Sequence, residues 1–229
     1  MSVLTEGKYL PDFMKWEQDQ NVSRQAATIK AGSGSTRPLT AGMVLSKVTT
    51  ATAATAAKSG GNTGNGTITM DATIPVKTGV KLGVYTVRFT VAVTNNGTFV
   101  VVDPDGLEIG TVVMSGGSGT FTGPIKFAIA DGATDFIVGD GFDITITAIV
   151  EKWLQLAPSA TDGSQNAAGV LYADITAPDG ADKTGAVVIV RNAIYLKDQL
   201  TWPGGITTAQ KALAVSQLKN IGLLESAVG

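Results

Sequence analysis

The chain has 229 residues, 44% of them apolar and 16% charged, and a net charge of −2; it is long enough to bury a substantial core and too apolar to remain disordered. It contains no histidine and no cysteine, which excludes serine–histidine hydrolysis, thiolate chemistry, disulfides and the usual zinc and haem ligand sets. Its 17 lysines and arginines are scattered singly, so no nucleic-acid partner is expected, and no run of eighteen apolar residues implies a membrane partner.

MSVLTEGKYLPDF carries no charged-then-apolar leader, so a cytoplasmic product is expected. Through residues 1–21 the apolar side chains Leu4, Tyr9, Leu10, Phe13, Met14 and Trp16 follow no period, and Pro11 argues against a helix. The stretch reads as an irregular apolar arm that needs a partner to cover it. Residues 22–50 contain VSRQAATIKAGSGSTRPLTAGMVLSKVT, which reads as strand, Gly/Ser/Pro turn and strand. Residues 51–66, small and glycine-rich, read as a flexible linker at a domain boundary.

Residues 67–150 carry the clearest strand pattern. Tyr85, Val87, Phe89, Val91 and Val93 alternate with polar neighbours, as do Ile125, Phe127 and Ile129, and again Phe142, Ile144 and Ile146. Asn95-Asn96-Gly97, Asp103-Pro104-Asp105-Gly106 and Gly139-Asp140-Gly141 supply the turns between them. The pattern predicts a small Ig-like antiparallel β-sandwich. Its aspartates read as turn residues: DPDG lacks the further ligands of a calcium loop, so no metal is expected. The aromatics fall mostly on the inward period, against a glycan-binding surface.

In residues 151–229, Trp153 to Leu156, the region of Val170, Leu171 and Ile175, and Val187 to Val190 read as strands, the last apolar on both faces and therefore central or at a subunit contact. The strand before the sandwich (Val44 to Val48) and the strand after it (Trp153 to Leu156) become neighbours if the sandwich is an insertion at a hairpin tip. After the Thr201-Trp202-Pro203-Gly204-Gly205 turn comes a helix with a capping box from Thr207 to Gln210, an apolar stripe of Ala214, Leu218 and Ile221, and Gly222 past its end. Trp153, Trp202 and Leu218 are expected in the structural core. The fold class is mainly β (α+β).

The phrase TDGSQNAAGVLYADITAPDGADKTGAVVIVRNAIYLKDQLTW, residues 161–202, resembles the lambda-type head decoration proteins of tailed phages: a D-G-x-x-x-A-A-G-V-L strand, a G-A-V-V-I-V-R strand, a Trp-Pro turn and a closing helix. The resemblance covers residues 22–50 and 151–229 as one discontinuous core domain. It implies a homotrimer on the outer surface of the expanded capsid, bound to the major capsid protein and bracing the shell against DNA pressure. It further implies an N-terminal docking arm, whose role falls on Tyr9, Phe13 and Trp16, and a non-enzymatic virion protein without cofactor. A tail or fibre subunit, or a surface-binding protein whose sandwich recognises a host glycan or receptor, stays open as the alternative.

Overall fold

The computed structural model describes residues 9–196 and 198–226. The chain opens with α1 (Leu10–Phe13), β1 (Met14–Glu17), α2 (Gln20–Ser23), β2 (Arg24–Ile29), β3 (Arg37–Leu39) and β4 (Val44–Ala57). There follow β5 (Thr67–Met70), β6 (Gly83–Val93), β7 (Asn96–Val102), β8 (Glu108–Met114), β9 (Ser118–Thr122), β10 (Lys126–Ala130) and β11 (Gly141–Gln155). The chain closes with β12 (Ala167–Leu171), β13 (Ile175–Ala177), β14 (Lys183–Ile189), β15 (Ala193–Tyr195), α3 (Thr208–Asn220) and β16 (Leu223–Glu225). It is mainly β, with several sheets and a C-terminal helix. It divides into two units, residues 1–48 with 151–229, and residues 49–150. The chain passes from one unit to the other within β4 and within β11.

Residues 49–150 form an antiparallel β-sandwich. One sheet contains the second half of β4, the first part of β11, then β6, β7 and β8; the other has the order β5, β10, β9. The first and last strands of the unit are thus neighbours, an order of its own rather than the immunoglobulin one. The alternation read from the sequence buries Tyr85, Val87, Phe89, Ile125, Phe127, Ile129, Phe142, Ile144 and Ile146 in one core, joined by Phe99 and Val101 of β7. Val91 and Val93, expected on the same face, are exposed because the register shifts after Phe89. Phe89, Phe99, Phe136 and Phe142 pack ring to ring at centroid separations of 4.5 to 5.8 Å. Gly97 holds a φ of 146°, and a Cβ there would come within 2.2 Å of both Phe89 Cζ and the Val91 carbonyl oxygen. Only glycine lets the hairpin close over that ring.

The 51–66 segment departs from the flexible linker that its composition suggests. Its first half is the continuation of β4, with Ala51 and Ala53 packed against the sandwich core, because β-branched threonines suit an extended backbone and small alanines fit close to the neighbouring sheet. Its second half is anchored: Thr63 and Gly64 donate their N–H groups to the Asp140 carboxylate at 2.9 Å each, and Asn62 Oδ1 accepts from Gly141 at 2.9 Å.

In the other unit, β2, β14, β12, β4 and β11 lie in that order, and β11 returns to β2 through the parallel pair Trp153↔Ile29. Five strands therefore close into a small barrel without an open edge. Its interior holds Ile29, Leu45, Trp153, Leu171 and Val188. β14, the segment apolar on both faces, is central, between β2 and β12. Leu156 donates to the Val44 carbonyl at 3.1 Å.

A second cluster in this unit joins α3 to Phe13, Met14, Val170, Ile189, Tyr195 and Leu223. The Thr207 and Gln210 side chains cap α3 reciprocally, Gly222 follows its end at φ 84°, and Ala214 and Leu218 face the core. Replacing Thr207 with alanine removes one side of this box and is expected to cost about 1 kcal/mol, measured as a lower denaturant midpoint with an unchanged slope.

Candidate docking surface

The N-terminal segment is more ordered than its aperiodic sequence suggests. Residues 1–8 of the expected arm lie outside the described residues. From Leu10 the chain makes one helical turn with Pro11 inside it, because proline at the start of a helix forfeits no internal hydrogen bond. β1 then pairs antiparallel with β15, and β15 pairs parallel with β16, giving a three-stranded sheet in the order β1, β15, β16.

Register fixes what each face of this sheet carries. Trp16 pairs with Ile194, and Ile194 with Leu224, so the three side chains form one cross-strand row on one face. Trp16 is 52% exposed, Leu224 43%, and Ile194 is half-buried. The opposite face turns Met14, Ala193, Tyr195 and Leu223 into the core shared with α3. A row of three large apolar residues across all three strands is a contiguous patch of the kind that marks an interaction surface. Tyr9, 60% exposed, stands just before α1.

The charges beside the row are engaged. Glu17 pairs with the Arg24 guanidinium through both carboxylate oxygens, and that guanidinium lies 4.2 Å from the centroid of the Tyr172 ring. The hydrogen bonds to Glu17 raise the Arg24 pKa above its usual value against the opposing effect of burial. Lys15 Nζ donates to Ser226 Oγ at 3.1 Å. The surface is thus suited to bury apolar area rather than to capture an ion.

The three arm residues separate here. Tyr9 and Trp16 are exposed, but Phe13 is fully buried, with its ring against Gly42, where a Cβ would meet Phe13 Cγ at 3.1 Å. Docking through Phe13 would require emptying the core around it, so this ring anchors the segment instead. Trp153 is 2% exposed, with Lys47 Nζ 4.9 Å from its ring centroid. Leu218 is fully buried, and Trp202 is partly buried against the α3 cluster with Lys211 Nζ 5.4 Å away. Ile194 and Leu224 were not legible as site residues, because strands of three residues are too short to show a period.

The sandwich presents a different surface. All seven of its aromatic rings, Tyr85, Phe89, Phe99, Phe121, Phe127, Phe136 and Phe142, are buried, leaving no aromatic platform for a sugar ring. Its exposed apolar side chains are aliphatic, including Val91 and Val113 in one row through Thr98. Asp103 and Asp105 both accept from Lys81. Among the described residues no cluster of three or more acidic side chains is placed to hold a metal, and no helix is long and apolar enough to cross a membrane.

The family model for bacteriophage lambda head decoration protein D matches residues 3–223. The chain belongs to this family. The match begins in the N-terminal segment and spans the sandwich, beyond the two flanking pieces in which the likeness is visible by eye. Membership in the lambda decoration family gives the chain a structural role in head decoration, association with the capsid and a place in the virion, in a family that is not one of enzymes.

No curated protein matches the chain. Two crystal forms of FlgL from Xanthomonas campestris are similar over 53% and 57% of this chain and 41% and 40% of theirs, at 19% identity and TM-scores of 0.31 and 0.27. The chain spans about two-fifths of those FlgL chains, and a likeness this weak bears on neither fold nor function.

Proposed function

We propose that the protein binds the outer surface of the expanded phage head as a homotrimer, engages the major capsid protein, and stabilises the shell against internal DNA pressure. The observation that carries this reading is the exposed row Trp16–Ile194–Leu224, with Tyr9 beside it. It lies in the unit that contains the decoration-like phrase, residues 161–202. The role expected for the N-terminal arm passes to Tyr9 and Trp16, joined by Ile194 and Leu224 from the C-terminal half.

The action is that of a clamp. A protein that binds only the mature lattice raises the free energy of opening that lattice by mass action. Three copies of the row on one trimer turn modest single contacts into firm retention, because the second and third engage at high effective concentration. The protein is made in the host cytoplasm, leaves it within the particle, and acts without cofactor or catalytic step.

A tryptophan at the centre of an interface commonly contributes at least about 2 kcal/mol. Trp16→Ala is therefore expected to weaken binding to expanded heads about 30-fold or more, and Leu224→Ala to weaken it less, with both variants folded. Val113→Lys, on the sandwich, is expected to leave head binding unchanged. Equal affinity for Trp16→Ala and the unmodified protein would remove the row from the docking surface. Light scattering should give three times the chain mass of 23.4 kDa; rings of other sizes or filaments would support a tail or fibre subunit.

A further inference from the structure

On the helix side of the same three-stranded sheet is a pocket of about 360 Å³, lined by Tyr195, Val215, Lys219, Leu223, Leu224 and Glu225. Tyr195 is 2% exposed, and among the described residues its hydroxyl is the one buried side-chain polar atom without a hydrogen-bond partner. A buried tyrosine hydroxyl ordinarily finds a partner, since leaving it unpaired destabilises the fold. Burial, with the Glu225 carboxylate adding to it, pushes the phenol up to about 12, so the group stays a proton donor across the physiological range. The pocket therefore combines apolar walls from Val215 and Leu223 with one unused donor, which is closed to solvent in the unbound chain.

Three features narrow what fits. Lys219 and Glu225 put one charge of each sign at the lining, which favours a neutral polar group over a free anion or cation. Leu224 belongs both to the pocket and to the exposed row, so the pocket is continuous with the proposed docking surface. β16 pairs with β15 on one side and with no other strand among the described residues, leaving main-chain groups beside the pocket for an extended segment.

We infer that this pocket receives an extended segment of the shell subunit, which seats one apolar side chain against Val215 and Leu223, parts the side chains that cover Tyr195 and gives a main-chain carbonyl oxygen to its hydroxyl. The inference rests on the shell-docking reading above. It makes Tyr195 a residue whose hydroxyl serves binding at the expense of the isolated fold.

Tyr195→Phe separates those roles, because it removes only the hydroxyl. The isolated variant is expected to melt at or above the temperature of the unmodified protein, since no internal hydrogen bond is lost. Its affinity for expanded heads lacking the protein should fall about tenfold, the loss of one buried hydrogen bond. Val215→Phe, which fills the pocket while keeping an apolar wall, should weaken binding at least as much with the fold retained. Unchanged affinity in Tyr195→Phe would overturn the inference, as would a lowered melting temperature, which would give the hydroxyl a role in the fold. Failure of the unmodified protein to bind would instead overturn the shell-docking reading.

Discussion

Asp140→Ala is expected to destabilise the sandwich by about 3–5 kcal/mol, because it removes at once the charged acceptor of three main-chain donors. The carboxylate is 2% exposed and accepts from Thr63 and Gly64 at 2.9 Å each and from Ile137 at 3.1 Å. It thereby fixes the segment that enters β5 to the turn that enters β11. Alanine leaves all three N–H groups without that acceptor, the one of Gly64 in a buried place. For a unit of this size the melting temperature should fall on the order of 20 °C, as calorimetry can measure.

The same contacts set a pH dependence. Burial alone would raise the Asp140 pKa, but the N–H groups of Gly64, Thr63 and Ile137, with Lys58 nearby, outweigh it and hold the carboxyl below its ordinary value of 3.8. A carboxyl depressed in the folded state stabilises the fold fully above its unfolded pKa, about 3.9, and this contribution is lost as pH falls through the lower, folded value. Stability should therefore drop on acidification below about pH 4. In Asp140→Asn that part of the drop should be missing, from an already lower starting point.

Trp153→Ala is expected to cost the barrel unit about 3–5 kcal/mol. The ring is 2% exposed in the barrel interior, and its strand makes the Trp153↔Ile29 pair that closes the barrel. Gly169 shows how tightly it is packed: a Cβ there would meet Val188 Cγ1 at 2.6 Å, the Ile189 carbonyl oxygen at 2.7 Å and the Trp153 ring at 3.3 Å. A cavity ringed by closed strands has little means of collapse, which places the loss toward the upper end. The other two tryptophans, Trp16 and Trp202, can report the unfolding by fluorescence, and the denaturant midpoint should shift down with little change in slope.

What the sequence makes legible depends on how long a pattern persists. Strands with one wet face, such as the first part of β6 and of β11, show their buried side chains directly, up to the irregularity after Phe89 that turns Val91 and Val93 outward and that no alternation announces. The α3 cap is equally plain, since it is local chemistry between Thr207 and Gln210. Ala51–Ala57 escaped because alanine and threonine carry little hydrophobic contrast, and strand pairing rather than local propensity makes them extended. Phe13 and Trp16 look alike in sequence, and only the tertiary pairing of β1 with β15 turns one inward and the other outward. Ile194 and Leu224 join Trp16 through contacts between segments nearly two hundred residues apart, which no local window can contain.

The central claim is tested most directly by co-sedimentation of the unmodified protein with expanded and with unexpanded heads that lack it. Saturable binding to expanded heads, with little to unexpanded ones, is the predicted result, and the bound heads should resist heating better than bare ones. Absence of binding to either form would contradict the decoration clamp and bring a tail or surface-binding role forward.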